Sequence, residues 1–162
     1  MSRSRPPFHV MWSHFSSIYG DGKVTSVGKK IGGKVQYNIE LALTRPQEGF
    51  KNACAIRMSY SLNYSGIPIN KGAWATVSGA DRKQYIYRVT DLLSYLQVNF
   101  GKADKTVKNP KPADFEGMTG ILVFNVRGWD DASGHATLWD GRTFSDHCYF
   151  PTSLEASIWV LK

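Results

Sequence analysis

Long apolar runs are missing from the sequence. No stretch reaches eighteen consecutive apolar residues, so we expect no helix that spans a membrane. The N-terminus, Met-Ser-Arg-Ser-Arg-Pro-Pro, is basic but is not followed by the apolar core of a secretory signal peptide. We therefore expect synthesis in the cytoplasm, without export by the general secretory route.

Cysteine is also scarce, because the chain contains only Cys54 and Cys148. A chain of 162 residues buries roughly two-thirds of its unfolded surface without disulfides, so we expect residues 1–162 to form one domain. Two interpretations of the cysteines stay open. A disulfide between them would remove any nucleophile, whereas the alternative is a reactive thiol at Cys54 and a small buried thiol at Cys148.

The charge is unbalanced, with 20 Lys and Arg against 13 Asp and Glu, a net charge of +7. An anionic partner is therefore expected. The sequence has no zinc-ligand spacing, no RNP-like strand and no run of more than two adjacent basic residues. We consequently expect neither nucleic acid nor a metal ion or cofactor to be bound.

The segment around Cys54 has the pattern of a helix start. Asn52 can cap a helix on which Cys54, Met58 and Leu62 share one face at four-residue spacing. A thiol in the first turn lies among unpaired N–H groups at the positive end of the helix dipole, which should lower its pKa. Cys54 is therefore a candidate nucleophile, and its own N–H is the expected first oxyanion donor.

A candidate base lies at the start of a later strand. His135 begins the alternating run His-Ala-Thr-Leu-Trp, which leads into Asp140-Gly141, a strong signal for a two-residue hairpin turn. Such a turn would pair Trp139 with Arg142, Thr137 with Phe144 and His135 with Asp146. Asp146, rather than the turn residue Asp140, would then orient the imidazole. Nucleophile, base and carboxylate in this order indicate Cys-His-Asp catalysis.

The remaining patterns predict an α+β fold with helices packed on an antiparallel sheet. We expect helices over 8–19, from Cys54 to about 63–66, and over 85–100, and strands over 121–126, 135–139, 142–150 and 156–161. The basic block 24–33, with Lys29, Lys30 and Lys34 around a glycine pair, is either a flexible loop or a strip that meets substrate. The connection 102–118 is too long for an ordinary loop and is expected to be functional or mobile.

Trp129 lies in the glycine-rich, acidic segment just before His135. It is either a core residue or a flat side chain that lines a cleft beside the base. We favour the cleft because of its position in the chain.

Three motifs together resemble one known family. Asn-Ala-Cys-Ala-Ile-Arg-Met-Ser from Asn52, Lys-Lys-Ile-Gly-Gly-Lys-Val from Lys29, and Gly-Trp-Asp-Asp-Ala-Ser-Gly-His ending at His135 are similar to the type VI secretion amidase effectors of the fourth family. Those are NlpC/P60-like peptidoglycan amidases with a papain-like fold. The resemblance implies Cys54, His135 and Asp146 as the catalytic triad. From their positions in the sequence, Trp129, Gly134, Lys29, Lys30 and Lys34 are candidate substrate-binding residues.

The resemblance also implies a function. The expected reaction is cleavage of the γ-D-glutamyl to meso-diaminopimelate amide in peptidoglycan stems, after delivery by a type VI apparatus into a rival cell's periplasm. A cognate immunity protein, acidic to match the net charge, would protect the producer. Two alternatives stay open: a papain-like peptidase or acyltransferase on another substrate, and a basic binding module in which Cys54 is only a buried helix residue.

Overall fold

Helices dominate the first part of the chain and an antiparallel sheet the last part. The computed structural model describes residues 4–50, 52–126, 134–145 and 153–162. The helices are α1 (Phe8–Tyr19), α2 (Val24–Ile31), α3 (Gly33–Thr44), α4 (Cys54–Tyr64) and α5 (Val89–Phe100), with a 3-10 helix at Pro112–Phe115. The strands are β1 (Thr76–Ser78), β2 (Gln84–Ile86), β3 (Lys105–Lys108), β4 (Gly120–Val126), β5 (His135–Trp139) and β6 (Ser153–Val160). The α+β class is therefore confirmed. Within the described ranges, no helix combines the length and the apolar character needed to cross a bilayer.

The first helix, α1, has the bounds that the apolar spacing predicts. Met11, Phe15 and Ile18 are buried on one face, because steps of three and four residues return to the same side of a helix. Ser61 of α4 donates its hydroxyl to the Met11 carbonyl at 2.7 Å. Apolar burial and this hydrogen bond together fix α1 against the helix that begins at Cys54.

Of the two interpretations of the block 24–33, the flexible loop is excluded, because α2 and the start of α3 occupy it. Val27 and Ile31 are buried. Gly32 (φ +71°) and Gly33 (φ +60°) join the two helices in a conformation that favours glycine. A Cβ on Gly33 would lie 2.6 Å from the backbone carbon of Gly79, so a side chain there would prevent the β1–β2 hairpin from packing on the helix junction.

The predicted helix over 85–100 begins later than expected. Tyr85 lies in β2, which pairs antiparallel with β1, and α5 starts only at Val89. Tyr85 is fully buried and donates its hydroxyl to Asp81 at 2.6 Å, a contact that the short hairpin makes possible. The remainder of the predicted apolar face, including Leu92 and Leu96, is buried in α5 as expected.

The four-stranded sheet has the order β3-β6-β4-β5, with antiparallel neighbours throughout. The segment 102–118 is not a structureless connection, because β3 and the 3-10 helix lie within it. β3 is one edge of the described sheet and β5 is the other.

The two faces of the sheet pack against different partners. One face contributes residues to the largest core cluster with α1, α4 and α5, and these are Ile121, Val123, Ala136, Leu138 and Trp159. The other face packs on Phe115 of the 3-10 helix through Leu122, Phe124, Trp139, Ala156 and Ile158. Trp139 Nε1 donates to the Phe115 carbonyl at 3.0 Å. α4 therefore belongs to the layer that covers the first face.

The turn after β5 is longer than the two residues predicted. Trp139 forms a bridge with Phe144, and the Ser145 N–H donates to the Leu138 carbonyl at 3.0 Å. The predicted pairs of Trp139 with Arg142 and Thr137 with Phe144 are consequently wrong by two positions.

The side chain of Asp140 explains this wider turn. Asp140 Oδ1 accepts the N–H groups of Arg142 at 2.9 Å and Thr143 at 2.6 Å, and its own N–H donates to the Thr143 carbonyl at 3.1 Å. A carboxylate that satisfies two turn N–H groups stabilises a four-residue loop over the two-residue one. Burial raises the pKa of Asp140, but these hydrogen bonds outweigh it and hold the pKa below its ordinary value.

Candidate active site

Cys54 is the first residue of α4, as predicted. Ala53 occupies the capping position, and Asn52 acts from one position further out by accepting the Cys54 N–H on Oδ1 at 2.8 Å. The N–H that we expected to be the first oxyanion donor is therefore donated to Asn52. Cys54 is buried, with 4% of its surface exposed.

The surroundings of Cys54 favour a thiolate. The first backbone hydrogen bond of α4 joins the Arg57 N–H to the Ala53 carbonyl at 2.8 Å, so the N–H groups of the preceding turn point out of the helix end. That turn reads Cys-Ala-Ile-Arg and contains no acidic side chain. Both features stabilise negative charge at this end of the helix.

His135 reaches Cys54 from the edge of the sheet. It is the first residue of β5 and pairs with Phe124 of β4. Its Nδ1 lies 3.6 Å from Cys54 Sγ, a distance compatible with a hydrogen bond to sulfur. The structure thus brings together the predicted nucleophile and base, across 81 positions of the chain.

The orientation of the imidazole assigns its two nitrogens. Because Nδ1 faces the sulfur, Nε2 is the nitrogen that an orienting carboxylate has to meet. A hydrogen bond at Nε2 would keep the ring in the tautomer that can accept a proton at Nδ1.

Asn52 also contacts the segment that carries the base. Its Nδ2 donates to the Gly134 carbonyl at 3.2 Å, while its Oδ1 accepts from Cys54. The sequence predicted a helix cap at Asn52 but not this link to β5. The carboxamide two positions before Cys54 is the only signal for it, and it does not reveal the distant partner.

Gly134 is buried beside His135, so the structure places this candidate substrate residue at the site. Trp129 and Asp146 lie outside the described residues. The two-residue turn that would place Asp146 opposite His135 is not the observed one, because Trp139 pairs with Phe144 and not with Arg142. Asp146 consequently rests on the resemblance of sequence, and both residues remain predictions.

The three candidate lysines lie on α2 and α3. Lys30 Nζ donates to the Ser17 carbonyl at 3.0 Å and to the Ser17 hydroxyl at 2.6 Å, and lies 5.7 Å from the Tyr60 ring centre. Its charge is thus engaged with α1 and the middle of α4. Lys29 and Lys34 are exposed.

A cysteine at a helix N-terminus facing a histidine on an antiparallel sheet defines a papain-like cysteine hydrolase. Comparison with known proteins gives the family. The model for "Type VI secretion system (T6SS), amidase effector protein 4", Tae4, matches residues 50–159. This chain therefore belongs to the Tae4 family.

Solved structures agree with this assignment. The type VI effector Tae4 from Enterobacter cloacae is 46% identical over 100% of both chains, with a TM-score of 0.88. Chains in the Tae4–Tai4 effector–immunity complexes from Enterobacter cloacae and Salmonella Typhimurium are 44% and 42% identical, with TM-scores of 0.87 and 0.84. Each match covers 98% of this chain and 100% of the other chain. The comparison with curated proteins gives no match.

Proposed function

We propose that this amidase effector hydrolyses the γ-D-glutamyl to meso-diaminopimelate amide of peptidoglycan stems. Cys54 is the nucleophile, His135 the base and acid, and Asp146 the orienting carboxylate. The observation that carries the proposal is the 3.6 Å approach of Cys54 Sγ to His135 Nδ1 at the start of α4, in a chain of the Tae4 family.

The first half of the reaction forms an acyl-enzyme. His135 removes the proton from Cys54, and the sulfur bonds to the γ-carbonyl carbon of D-glutamate. The carbon–nitrogen bond then breaks, and His135 returns the proton to the departing amine of diaminopimelate. The helix N-terminus favours the negative charge that develops on the carbonyl oxygen.

The second half releases the thioester by hydrolysis. His135 deprotonates a water molecule, the hydroxide bonds to the thioester carbon, the carbon–sulfur bond breaks, and His135 returns its proton to the Cys54 sulfur. The new carboxyl group releases its proton to solvent. The products are the γ-carboxylate of D-glutamate and the regenerated thiol, so no redox partner or cofactor is needed. A carboxylate at Nε2 supports each cycle because it stabilises the imidazolium form.

Substrate binding is proposed for residues next to His135 in the chain and for the lysines of α2 and α3. Gly134 provides backbone without a side chain next to His135, and Trp129 supplies a flat surface for the peptide stem. Lys29 and Lys34 are candidate partners for stem carboxylates, whereas Lys30 must give up its hydrogen bonds to Ser17 to take part. Replacement of each lysine by Met should raise KM more than it lowers kcat.

Membership of the family supports a proposal for delivery and protection. We propose that a type VI apparatus delivers the enzyme to the periplasm of a target cell, and that an acidic immunity protein blocks the mouth of the Cys54 site in the producer. The related Tae4 chains form complexes with Tai4, and the net charge here is +7. Charge complementarity raises the association rate more than the intrinsic affinity, so inhibition should set in faster at low salt. Hydrogen-exchange protection confined to the face away from Cys54, with substrate still cleaved, would contradict a blocking inhibitor.

Mass spectrometry of digested muropeptides tests the reaction. We expect new products ending in free γ-D-glutamate from wild type and from Cys148→Ala, the matched thiol control, but not from Cys54→Ala. Casein in a parallel digest separates a stem-specific amidase from a general peptidase. Cleavage of casein alone, or unchanged products from Cys54→Ala, would refute the proposal.

A further inference from the structure

The side chain of Asn52 connects the start of the helix that carries the nucleophile to the segment that leads into the strand of the base. Oδ1 accepts the Cys54 N–H at 2.8 Å, and Nδ2 donates to the Gly134 carbonyl at 3.2 Å. Since Gly134 directly precedes His135, the two bonds and the Sγ–Nδ1 approach form a closed ring of contacts. Asn52 is half-buried, which protects these bonds from competition with water.

The carboxamide is suited to this task because it presents an acceptor and a donor on one rigid plane. A carboxylate accepts at both oxygens, a hydroxyl has a shorter reach, and a methyl group does neither. The backbone groups that it joins belong to elements 82 positions apart. Neither group has a local reason to face the other, so Asn52 supplies a constraint that helix and sheet formation do not provide.

We propose that Asn52 is a positioning residue that sets the separation of Cys54 Sγ and His135 Nδ1. This inference rests on the proposed roles of those two residues. Removal of the carboxamide removes the acceptor of the Cys54 N–H and a donor to the Gly134 carbonyl, and so releases the start of α4 from the start of β5. A displacement of about 1 Å at reacting groups costs on the order of 10²-fold in rate. The loss should therefore appear mainly in kcat.

Asn63 provides a matched control at the other end of α4. Its Oδ1 accepts the Ile69 N–H at 2.9 Å and its Nδ2 donates to the Gln84 carbonyl at 2.8 Å, the same pair of bonds that Asn52 makes. Asn63 is 6% exposed, so Asn63→Ala should lower Tm at least as much as Asn52→Ala. Asn63 has no part in the proposed chemistry, and its variant should keep the wild-type kcat.

The experiment compares Asn52→Ala, Asn52→Asp and Asn63→Ala. Hydrolysis of purified muropeptide gives kcat and KM, iodoacetamide alkylation across pH gives the apparent thiol pKa, and thermal melts confirm folding. Asn52→Ala should lose about 10²-fold in kcat with KM within a few-fold of wild type, and should alkylate with a higher apparent pKa. Cys54→Ala reports the background from Cys148.

The Asp variant separates the two hydrogen bonds. Asn52→Asp retains an acceptor for the Cys54 N–H but places a carboxylate oxygen against the Gly134 carbonyl, so it should be as impaired as Asn52→Ala. It also remains informative if Asn52→Ala fails to fold. Wild-type kcat and alkylation profile in either folded Asn52 variant would overturn the inference. Unimpaired Cys54→Ala or His135→Ala would instead overturn the proposed function, so the two failures are distinguishable.

Discussion

Cys54 Sγ and His135 Nδ1 lie 3.6 Å apart although neither belongs to an element that dictates the other's position. Cys54 is placed by the start of α4, and His135 by the start of the edge strand β5. The two elements share a core cluster, in which Met58 and Leu62 from α4 pack with Ala136 and Leu138 from β5. Apolar packing thus brings the helix and the strand together, and the Asn52 bonds refine the spacing.

Removal of either reacting group should abolish activity with the fold retained. We expect Cys54→Ala and His135→Ala each to lower kcat/KM by on the order of 10⁴-fold or more, since nucleophile and base act as one unit. The double variant should be hardly worse than either single one. Muropeptide hydrolysis and circular dichroism provide the measurements, and near wild-type lysis of sacculi by Cys54→Ala would disprove the role of the thiol.

The thiolate should persist at a lower pH than in an ordinary cysteine, whose pKa is about 8.5. Alkylation of Cys54 by iodoacetamide should remain fast near neutral pH, and His135→Ala should shift the profile upward because the imidazolium no longer stabilises the thiolate. The signal is taken as the difference between wild type and Cys54→Ala. An inert thiol in the native protein would favour the alternative of a merely buried helix residue.

A separate prediction concerns the stability of the β1–β2 hairpin. Asp81 accepts the hydroxyls of Tyr85 and Tyr64, each at 2.6 Å. Burial raises the pKa of Asp81, but these bonds and the Lys83 N–H outweigh it, so the net pKa is lowered. Burial and the hydrogen bond to Asp81 raise the pKa of Tyr85. Burial and a second hydrogen bond to Asp81 raise the pKa of Tyr64 to about 12. Tyr85→Phe should cost about 1.5–3 kcal/mol at pH 7, measured by urea unfolding, because a buried donor to a charged acceptor is lost.

The pH dependence of that cost has a defined sign. Because the pKa of Asp81 is lower in the folded protein, its carboxylate contributes stability at pH values above the unfolded pKa of about 3.9. That contribution is lost as pH falls through the folded pKa. Because the pKa of Tyr85 is higher in the folded protein, its hydroxyl contributes stability at pH values below the unfolded pKa of about 10. That contribution is lost as pH rises through the folded pKa. The difference in unfolding free energy between wild type and Tyr85→Phe should consequently shrink at strongly acidic and strongly alkaline pH. A difference that stays constant below pH 4 would mean that Asp81 does not carry it.

Local patterns predicted the elements that form through local periodicity. The bounds of α1 and the first residues of α4 and β5 were all predicted, because each has a clear apolar period and a capping or turn signal. The same local signals place Cys54 at a helix start and His135 at a strand start. Their proximity was predicted from chain order and resemblance, and packing of α4 against β5 is what achieves it.

Tertiary contacts explain the elements that were missed. The run over 24–33 contains Val27 and Ile31 at helical spacing, but its glycines and lysines left a loop open as one of two interpretations. Gly32 and Gly33 instead join α2 to α3 with positive φ angles, and the missing side chain of Gly33 allows the close approach of Gly79. Tyr85 fits a helical pattern with Val89, yet it pairs in β2, where its hydroxyl reaches Asp81. Such contacts between distant segments leave no periodic signal in a single sequence.

In the hairpin after β5, one side chain changes the turn that the local sequence predicts. Asp140-Gly141 correctly indicates a turn, but the Asp140 side chain caps the N–H groups of Arg142 and Thr143 and lengthens the loop. Pairing therefore shifts to Trp139 with Phe144. A two-residue turn would have placed Asp146 opposite His135, and the observed turn is longer. The role of Asp146 therefore needs a direct test.

Asp146 and Asp140 can be separated by paired substitutions. By resemblance Asp146 orients His135, so Asp146→Ala should lower kcat on the order of 10²- to 10⁴-fold with little change in Tm. Asp140→Ala removes the acceptor of the turn N–H groups and should lower Tm, while kcat of the folded protein changes little. Asp146→Asn tests the charge separately from the shape, because an amide has nearly the shape of the carboxylate but no longer stabilises an imidazolium. Full activity in Asp146→Ala together with loss in a well-folded Asp140→Ala would transfer the role to the turn residue. Loss in neither would show that His135 is oriented by another group at Nε2.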